Sequence, residues 1–319
     1  MKSVLSISEE DVGRTLTVQK STQLARRAYL LRAKSRVLEP PRTWFTVRDG
    51  ASFYFMPAHV FGLKTASVKV VSLNPRNRNN HLPSISATIY VFDSRTGSEL
   101  ARIAGNNLTA IRTAASSALA TDILALKEAD SLGIIGSGKQ AHAHLPAMLE
   151  VRSFSRVLVY SPSKAHRENF VRWASKITTV PVTSTDSAQE VARKSDILVL
   201  ATTSRVPLFK GTNVPLGTHA NAIGAALPSS REMDTTLVKR SILVVDSVEQ
   251  AVATYGDIVI PLKEKAIKKS HIRAELGELL LDPNLVGRRE NQITVFKAGG
   301  LGVLDAVFAD YVVSQFWRS

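Results

Sequence analysis

The spacing of hydrophobic and polar residues predicts two different arrangements of helices and strands along the chain. Residues 21–37, STQLARRAYLLRAKSRV, carry apolar side chains at helical spacing after a Ser/Thr start, which predicts an amphipathic helix. Short β-rich runs follow as TWFTV, SFYFM, SVKVVSL and SATIYVF, separated by the turn signals RDG, PAH and NPRNRNNHLP. Strands this closely spaced predict an antiparallel or mixed sheet.

The second arrangement begins after RTAASSALATDILAL, an Ala-rich stretch that predicts a helix. From Ser131, strand-like segments such as LGIIG, RVLVYS, DILVLATT and SILVVDS alternate with helix-like segments, which is typical of a parallel, doubly wound sheet. A last amphipathic stretch, LGVLDAVFADYVVSQFW, predicts a helix that folds back on the first domain. We therefore predict an α/β protein with a Rossmann domain (117–300) and an α+β domain (1–116 and 301–319) that the C-terminal helix closes.

The stretch SLGIIGSGKQAHAH has the order of strand, glycine turn and helix that a dinucleotide-binding fingerprint requires. Gly136 permits the tight turn, Gly138 lets the backbone approach a pyrophosphate, and Ala141 keeps the helix close to the sheet. The diphosphate would meet the helix amino terminus and its partial positive charge. The predicted cofactor-binding residues of this loop are Gly136, Ser137, Gly138, Lys139, Gln140 and Ala141.

The second strand of this domain, RVLVYS, ends without the acid that an NAD enzyme usually presents to the ribose 2′-hydroxyl. Hydroxyl groups and cations that suit a 2′-phosphate occur there instead, so NADP(H) is favoured and NAD(H) is possible. These predicted cofactor-binding residues are Ser161, Ser163, Lys164 and Arg167. The same SPSK stretch is also an ordinary helix cap with surface cations.

Later strand ends supply three more cofactor candidates at the carboxyl edge of the sheet. Thr202, Thr203 and Asn221 either contact the ribose or nicotinamide or are routine turn residues. Asp246, after another strand, either contacts the cofactor as well or caps the next helix, and we interpret it as a helix cap.

Composition narrows the function classes. The 319 residues include 41 Lys and Arg against 27 Asp and Glu, a net charge of +14, but the cations are scattered and accompany no nucleic-acid-binding motif. We therefore expect small anionic ligands, with no nucleic-acid partner and no membrane partner. No apolar run is long enough to span a membrane, and the amino terminus becomes acidic where a secretory signal stays apolar, so a cytoplasmic protein is expected. The chain lacks cysteine, and its seven histidines have no ligand-like spacing to acids, so no metal site is predicted.

Several motifs, in shared order and spacing, resemble those of the ornithine cyclodeaminase and mu-crystallin family over nearly the whole chain. They are PRTWF, YFMPA, VKVVSLNPRN, LTAIRTAASSALAT, GIIGSGKQAHAH, PLGTHANAIGAALPSSREMD, VVDSVEQA, AELGELL and ITVFKAGGLGVLDAV. The resemblance implies a homodimer whose first domain supplies the dimer contact and the substrate pocket.

The resemblance also implies site residues. Arg42, Lys69 and Arg112 fall on positions that bind the substrate's α-carboxylate in this family, with Lys69 and Arg112 as the catalytic candidates. Taken singly, each cation is an ordinary surface residue, and Lys64 is a rival to Lys69. Asp305 matches a family acid that either faces the cofactor or stabilises the dipole of its helix.

One departure from the family pattern concerns the reaction. Ornithine cyclodeaminases carry an aspartate two residues past the glycine that corresponds to Gly224, and here that position is Ala226. A methyl group neither accepts a proton nor holds an ammonium, which makes cyclodeamination doubtful. Members without the acid are similar to reductases of cyclic ketimines.

We therefore predict an NAD(P)H-dependent reductase of a C=N bond adjacent to a carboxylate, with Δ1-pyrroline-2-carboxylate or Δ1-piperideine-2-carboxylate as examples of substrates. Three alternatives stay open at this point. They are a cyclodeaminase-type lyase, an amino-acid or opine-type dehydrogenase, and a non-catalytic NADP(H)-binding protein.

Overall fold

The computed structural model describes residues 3–48, 50–74, 76–77 and 82–317. Pro75, which is part of one of the family motifs, and His81 lie outside the described residues. Within these ranges, no helix has both the length and the apolar character that crossing a membrane requires.

The chain divides into two compact units, Met1–Arg112 with Leu301–Ser319, and Thr113–Gly300. The helices and strands up to the division are β1 (Leu5–Ile7), α1 (Glu9–Thr15), α2 (Val18–Ala33), β2 (Val37–Leu38), β3 (Thr43–Thr46), β4 (Ser52–Val60), β5 (Thr65–Leu73), β6 (Ile85–Asp93), β7 (Glu99–Ala104) and α3 (Gly105–Leu124). The division falls inside α3, whereas the sequence placed the change of domain after residue 116.

The first unit contains a seven-stranded mixed sheet with the order β1-β7-β6-β5-β4-β2, in which β3 also pairs with β4. Only the β1–β7 pair is parallel among these described strands. Alternate residues of β4, β5 and β6 are buried along one face, as expected for strands that cover a core on one side. This confirms the mixed sheet predicted from the turn spacing.

Two local features differ from the sequence prediction in this unit. Helix α2 begins earlier than expected because Thr17 caps it, accepting a hydrogen bond from the Lys20 backbone N–H. It ends at Ala33, and Ser35 adopts a positive φ of 53°, after which the chain enters β2. The sequence analysis also missed β1, α1 and β7.

The remaining elements are β8 (Ser131–Ile135), α4 (Lys139–Val151), β9 (Arg156–Tyr160), α5 (Lys164–Ala174), β10 (Val182–Ser184), α6 (Ala188–Lys194), β11 (Ile197–Leu200), β12 (His219–Ala222), α7 (Thr235–Arg240), β13 (Ser241–Val245), α8 (Val248–Thr254), α9 (Gly256–Lys263), β14 (Ile272–Glu275), α10 (Leu276–Leu281), β15 (Ile293–Lys297) and α11 (Gly302–Phe316). All but α11 belong to the second unit. Helix α11 belongs to the first unit, where it packs against α2, β4 and β5.

The second unit is built on an eight-stranded parallel sheet with the order β10-β9-β8-β11-β12-β15-β13-β14. Its central strands are buried on both faces, as β8, β11, β12 and β15 show. The chain reverses its direction of strand addition between β8 and β11, which is the switch point where doubly wound sheets bind ligands. The predicted parallel, doubly wound sheet is confirmed.

Candidate active site

Lys69 lies in the middle of the buried face of the first unit's sheet. Its neighbours in register are Met56 on β4 and Ile89 on β6, both buried, and Lys69 itself is 1% exposed. A buried ammonium group between two apolar side chains requires a partner, because an isolated charge at such a place is very costly. Lys64, the rival candidate, is exposed before β5.

Asp305, in the first turn of α11, is that partner. Its Oδ2 lies 2.7 Å from Lys69 Nζ, and its Oδ1 accepts a hydrogen bond from Arg112 Nε on α3 at 3.3 Å. All three side chains are buried. The structure thus brings Lys69 and Arg112 together on the carboxylate of Asp305. These three residues form a buried charged cluster in the first unit.

Burial, two cations and one carboxylate act on the Lys69 ammonium group. Burial lowers the pKa of the Lys69 ammonium group to about 7, Arg112 adds to this shift, Asp305 opposes it, and Arg42 lowers it slightly further. Arg42 is half-buried just before β3. The three predicted cations therefore act on one another electrostatically within the first unit.

The amino terminus of α11 is fixed closely against the sheet. Glu39 Oε1 accepts the Val303 backbone N–H at 2.9 Å, and a side chain at Gly302 would lie 3.0 Å from the Pro57 carbonyl oxygen. Burial raises the pKa of the Glu39 carboxyl, and the hydrogen bond from the Val303 N–H opposes this shift. This packing places Asp305 over β5.

The glycine loop of the second unit has the backbone that a dinucleotide requires. Gly136 has φ +118°, and a Cβ there would overlap the Ala201 carbonyl oxygen. Gly138 begins α4 without a side-chain cap, and a Cβ at Gly138 would meet nothing within 4 Å. The first turn of α4 thus presents its N–H groups to open space, which fits a diphosphate.

The two glycines make a testable pair. Gly136→Ala is expected to lower the free energy of unfolding by about 3 kcal/mol, because it combines a left-handed backbone with a steric overlap. Gly138→Ala is expected to leave the melting temperature within a degree or two and to weaken NADPH binding about tenfold. Thermal unfolding and NADPH fluorescence titration check both effects, and equal losses of stability would contradict the assignment.

The candidates for binding the ribose divide into a hydrogen-bonded group, Ser137, Ser161 and Arg167, and two residues at the start of α5. Ser137 Oγ donates to Ser161 Oγ at 2.9 Å, which joins the glycine loop to the end of β9. Arg167 donates from a terminal nitrogen to the Ser161 carbonyl oxygen at 2.6 Å and lies 6.0 Å from the Tyr160 ring centre. Ser163 caps α5 and Lys164 is exposed, as expected if the SPSK stretch is a helix cap with surface cations.

The three strand-end candidates, Thr202, Thr203 and Asn221, differ in burial and in hydrogen-bond partners. Thr202 donates from its backbone N–H and its hydroxyl to Glu232 Oε1, and Thr203 is exposed. Asn221 is fully buried, donates to Thr121 Oγ1 at 2.8 Å and bonds His219 at 3.3 Å. Its geometry favours a structural role over the cofactor contact that the sequence suggested. Burial lowers the pKa of His219 to about 3, in agreement with polar packing.

The helix-cap interpretation of Asp246 is wrong. Ser247 caps α8 instead, accepting from the Gln250 backbone N–H. Asp246 is buried and accepts the N–H groups of Gly299 and Gly300 and the Tyr255 hydroxyl. The sequence analysis also missed the buried charged residues Glu232, Asp257 and Lys297. One signal was available, because a charged residue within or beside an apolar segment is expected to have a buried partner.

A parallel sheet with an open glycine loop at its switch point is that of a Rossmann-type dinucleotide-binding protein. The chain also has a separate mixed-sheet unit, which contains the buried cations Lys69 and Arg112. The chain belongs to the ornithine cyclodeaminase/mu-crystallin family, whose model matches residues 2–318.

Similar proteins of this family include reductases. The chain is 35% identical over 284 residues to the ketimine reductase mu-crystallin of Rattus norvegicus, covering 89% of this chain and 86% of the relative. The structure of Thermococcus litoralis Δ1-pyrroline-2-carboxylate reductase in complex with NADH and L-proline matches with a TM-score of 0.94 and 36% identity, covering 99% of this chain and 98% of that chain. An archaeal alanine dehydrogenase dimer with bound NAD matches with a TM-score of 0.91 and 28% identity, covering 99% and 96%.

Proposed function

We propose that the protein is an NAD(P)H-dependent reductase of a C=N bond adjacent to a carboxylate, with a cyclic imino acid as substrate. The observation that carries this proposal is the buried cluster of Lys69, Arg112 and Asp305. The names of the rat and archaeal reductases, at 35% and 36% identity, support the same reaction.

Charge balance favours a carboxylate ligand at this cluster. Lys69 and Arg112 carry two positive charges when protonated, and the three side chains of the cluster include one carboxylate, that of Asp305. A substrate carboxylate would compensate the second, and the planar guanidinium group of Arg112 suits two carboxylate oxygens. Arg42 adds a third cation that draws anions toward the cluster.

The residues that would hold the cofactor are those of the open loop and the end of β9. The backbone N–H groups at the start of α4 would bind the diphosphate, and Arg167 beside Tyr160 would bind a 2′-phosphate, which favours NADP(H) over NAD(H). When bound, the nicotinamide supplies a hydride to the imine carbon. The proposed location of the protein is the cytoplasm, where the coenzyme would be available from solution.

The chain's own part in the reaction is to bind and orient the substrate. Lys69 and Arg112 fix the carboxylate, and positioning of this kind can lower a reaction barrier by several kcal/mol. An imine that is already protonated at nitrogen accepts the hydride at its carbon, and the C=N electron pair moves to nitrogen, so no strong protein acid is needed. Ala226 at the position of the cyclodeaminase aspartate is compatible with reduction and offers no group for deamination.

Absorbance of NADPH and NADH at 340 nm tests the function in the purified protein. We expect oxidation with five- or six-membered cyclic imino acids and a preference for NADPH. Pyruvate with ammonia or an amine tests the amino-acid and opine dehydrogenase alternatives, and ornithine with NAD tests the cyclodeaminase. Release of ammonia and proline from ornithine, without imine reduction, would overturn the proposal.

We also propose a homodimer formed through the outer face of the first unit's sheet. This face carries the half-buried or exposed apolar residues Phe45, Phe53, Phe55, Val68, Val70 and Tyr90. Phe45 is 50% exposed, although its ring lies 5.4 Å from that of Phe53. An apolar face of this kind is typical of a protein interface, and one related structure is a dimer.

Substitution at the centre of this face tests the dimer. Val68→Glu is expected to convert a species of twice 34.7 kDa into one of 34.7 kDa in light scattering after size exclusion, because the interface would bury an unpaired charge. Ile177→Glu, at a 48% exposed position of the second unit, is the matched control and should leave the mass unchanged. An unchanged mass for Val68→Glu would contradict this interface.

A further inference from the structure

The carboxyl edge of the parallel sheet contains a group of buried charges that the proposed function does not use. Glu232, Asp257 and Lys297 are each 0% exposed. Lys297 ends β15, its Nζ lies 2.9 Å from Asp257 Oδ2, and it donates to the Ala225 carbonyl oxygen at 2.5 Å. Asp257 Oδ1 accepts the backbone N–H groups of Glu232 and Met233 at 2.7 and 2.8 Å. The segment that contains Glu232 is therefore held by Asp257, which in turn pairs with Lys297.

The Glu232 carboxylate joins two loops. Its Oε1 accepts the backbone N–H of Thr202 at 2.7 Å and the Thr202 hydroxyl at 2.8 Å, in the loop after β11. Its Oε2 accepts the backbone N–H groups of Gly224 at 2.8 Å and Ala225 at 3.2 Å, in the loop after β12. Four donors on one carboxylate satisfy both of its oxygens, which is what a buried acid requires.

The two loops approach each other as closely as their backbones permit. A Cβ at Gly224 would overlap the Thr202 carbonyl oxygen and lie 2.5 Å from Glu232 Oε1. Glycine at this position thus allows the carboxylate to bind both loops at once. Neither loop can shift without the loss of at least two of these hydrogen bonds.

These loops occupy the half of the sheet opposite the predicted adenosine side. The glycine loop follows β8, the 2′-phosphate candidates follow β9, and β11 and β12 lie beyond the switch point. A dinucleotide crosses such a switch point, with one nucleotide on each half of the sheet. The nicotinamide half of the coenzyme would therefore lie over the loops that Glu232 joins.

We infer that Glu232 is a positioning residue for the nicotinamide half of the coenzyme, because its carboxylate fixes the loops after β11 and β12 relative to each other. This inference rests on the proposed function. Glu232 acts through Thr202, Gly224 and Ala225. Asp257, which pairs with Lys297, holds the Glu232 segment in place.

Two independent substitutions in the full-length protein test this role. Glu232→Gln directs an amide group toward N–H donors on one side, and Gly224→Ala separates the same loops while leaving the carboxylate intact. Asp196→Asn is the matched control, because Asp196 Oδ2 accepts three hydrogen bonds, from Asp130 and Ser131, at the opposite edge of the sheet. Circular dichroism and thermal unfolding establish that each variant is folded at the assay temperature.

We expect Glu232→Gln and Gly224→Ala to slow imino-acid reduction by about 10- to 100-fold, since small misplacements of reacting groups cost rate on this scale. The deuterium isotope effect with [4-²H]NADPH should rise, and the dissociation constant of NADPH should rise about three- to tenfold. Asp196→Asn should lower the melting temperature and leave the isotope effect and NADPH affinity unchanged. A merely structural role of Glu232 would give this control's pattern.

The failure of this inference can be distinguished from a failure of the proposed function. NADPH binding, followed by fluorescence, requires no imino acid, so it reports on Glu232 even if wild-type protein reduces no imine. Wild-type NADPH affinity and hydride-transfer rate in folded Glu232→Gln or Gly224→Ala would overturn the inference. Reduced NADPH affinity in both variants, with normal affinity in Asp196→Asn, would support it.

Discussion

Replacing Arg112 by alanine is expected to raise the KM for the imino-acid substrate by about 100-fold and to leave the dissociation constant of NADPH within about twofold. Truncating one partner of a buried, hydrogen-bonded charge pair costs about 2–5 kcal/mol, and each 1.4 kcal/mol is tenfold in affinity. The fold should survive because Asp305 keeps its partner Lys69 at 2.7 Å. Steady-state kinetics and NADPH titration measure the two constants.

A second arginine of the first unit gives the matched control. Arg14, on α1, pairs with Asp11 at 2.6 Å, and its side chain is 69% exposed. Arg14→Ala is expected to leave the substrate KM within about twofold, because an exposed ion pair outside the cluster contributes little. If Arg112→Ala weakened substrate and NADPH equally, or if both variants behaved alike, Arg112 would lose its role as the carboxylate anchor.

The affinity for a carboxylate ligand is expected to fall as the pH rises through about 7, the pKa of Lys69. Below this pH, Lys69 carries its charge and the affinity should be constant. Above it, the neutral amine no longer attracts the ligand, so the dissociation constant should rise by up to about tenfold per pH unit. Pyrrole-2-carboxylate is a suitable probe because its ring nitrogen does not titrate over this range, unlike an imine.

Asp305→Asn tests whether the charge of Asp305 sets the pH at which carboxylate binding weakens. Asp305 raises the pKa of Lys69 against burial, Arg112 and Arg42, so its loss should move the break in the affinity profile to lower pH. Asp310→Asn is the control, since Asp310 bonds Thr65 at 2.8 Å and joins the same helix α11 to the same strand β5. A break that does not move in Asp305→Asn, or that moves equally in Asp310→Asn, would contradict an effect of the Asp305 charge on Lys69.

Local sequence signals predicted those features that depend on neighbouring residues. The parallel sheet followed from alternating segments, and the positive φ of Gly136 follows from a turn within its own loop. Helix limits were less accurate where a cap or a positive φ decides them, as at Thr17 and Ser35 of the α2 region.

The partners of the buried charges were not predictable in this way. Asp305 and Arg112 are 193 residues apart in the chain, and Glu232 bonds Thr202 across 30 residues. Such pairs exist only when separate elements pack together, so a sequence shows the charges without showing which of them meet. The same reason explains the error at Asp246, whose partners Gly299 and Gly300 follow a different strand.

In the proposed reaction, hydride reaches the carbon beside a carboxylate that Lys69 and Arg112 hold. Mass spectrometry of the product formed from Δ1-pyrroline-2-carboxylate and [4-²H]NADPH, with each deuterated epimer of the coenzyme in turn, tests this transfer. We expect proline with one deuterium at C2 from one of the two epimers. Unlabelled proline from both epimers, or no proline at all while ornithine releases ammonia, would contradict it.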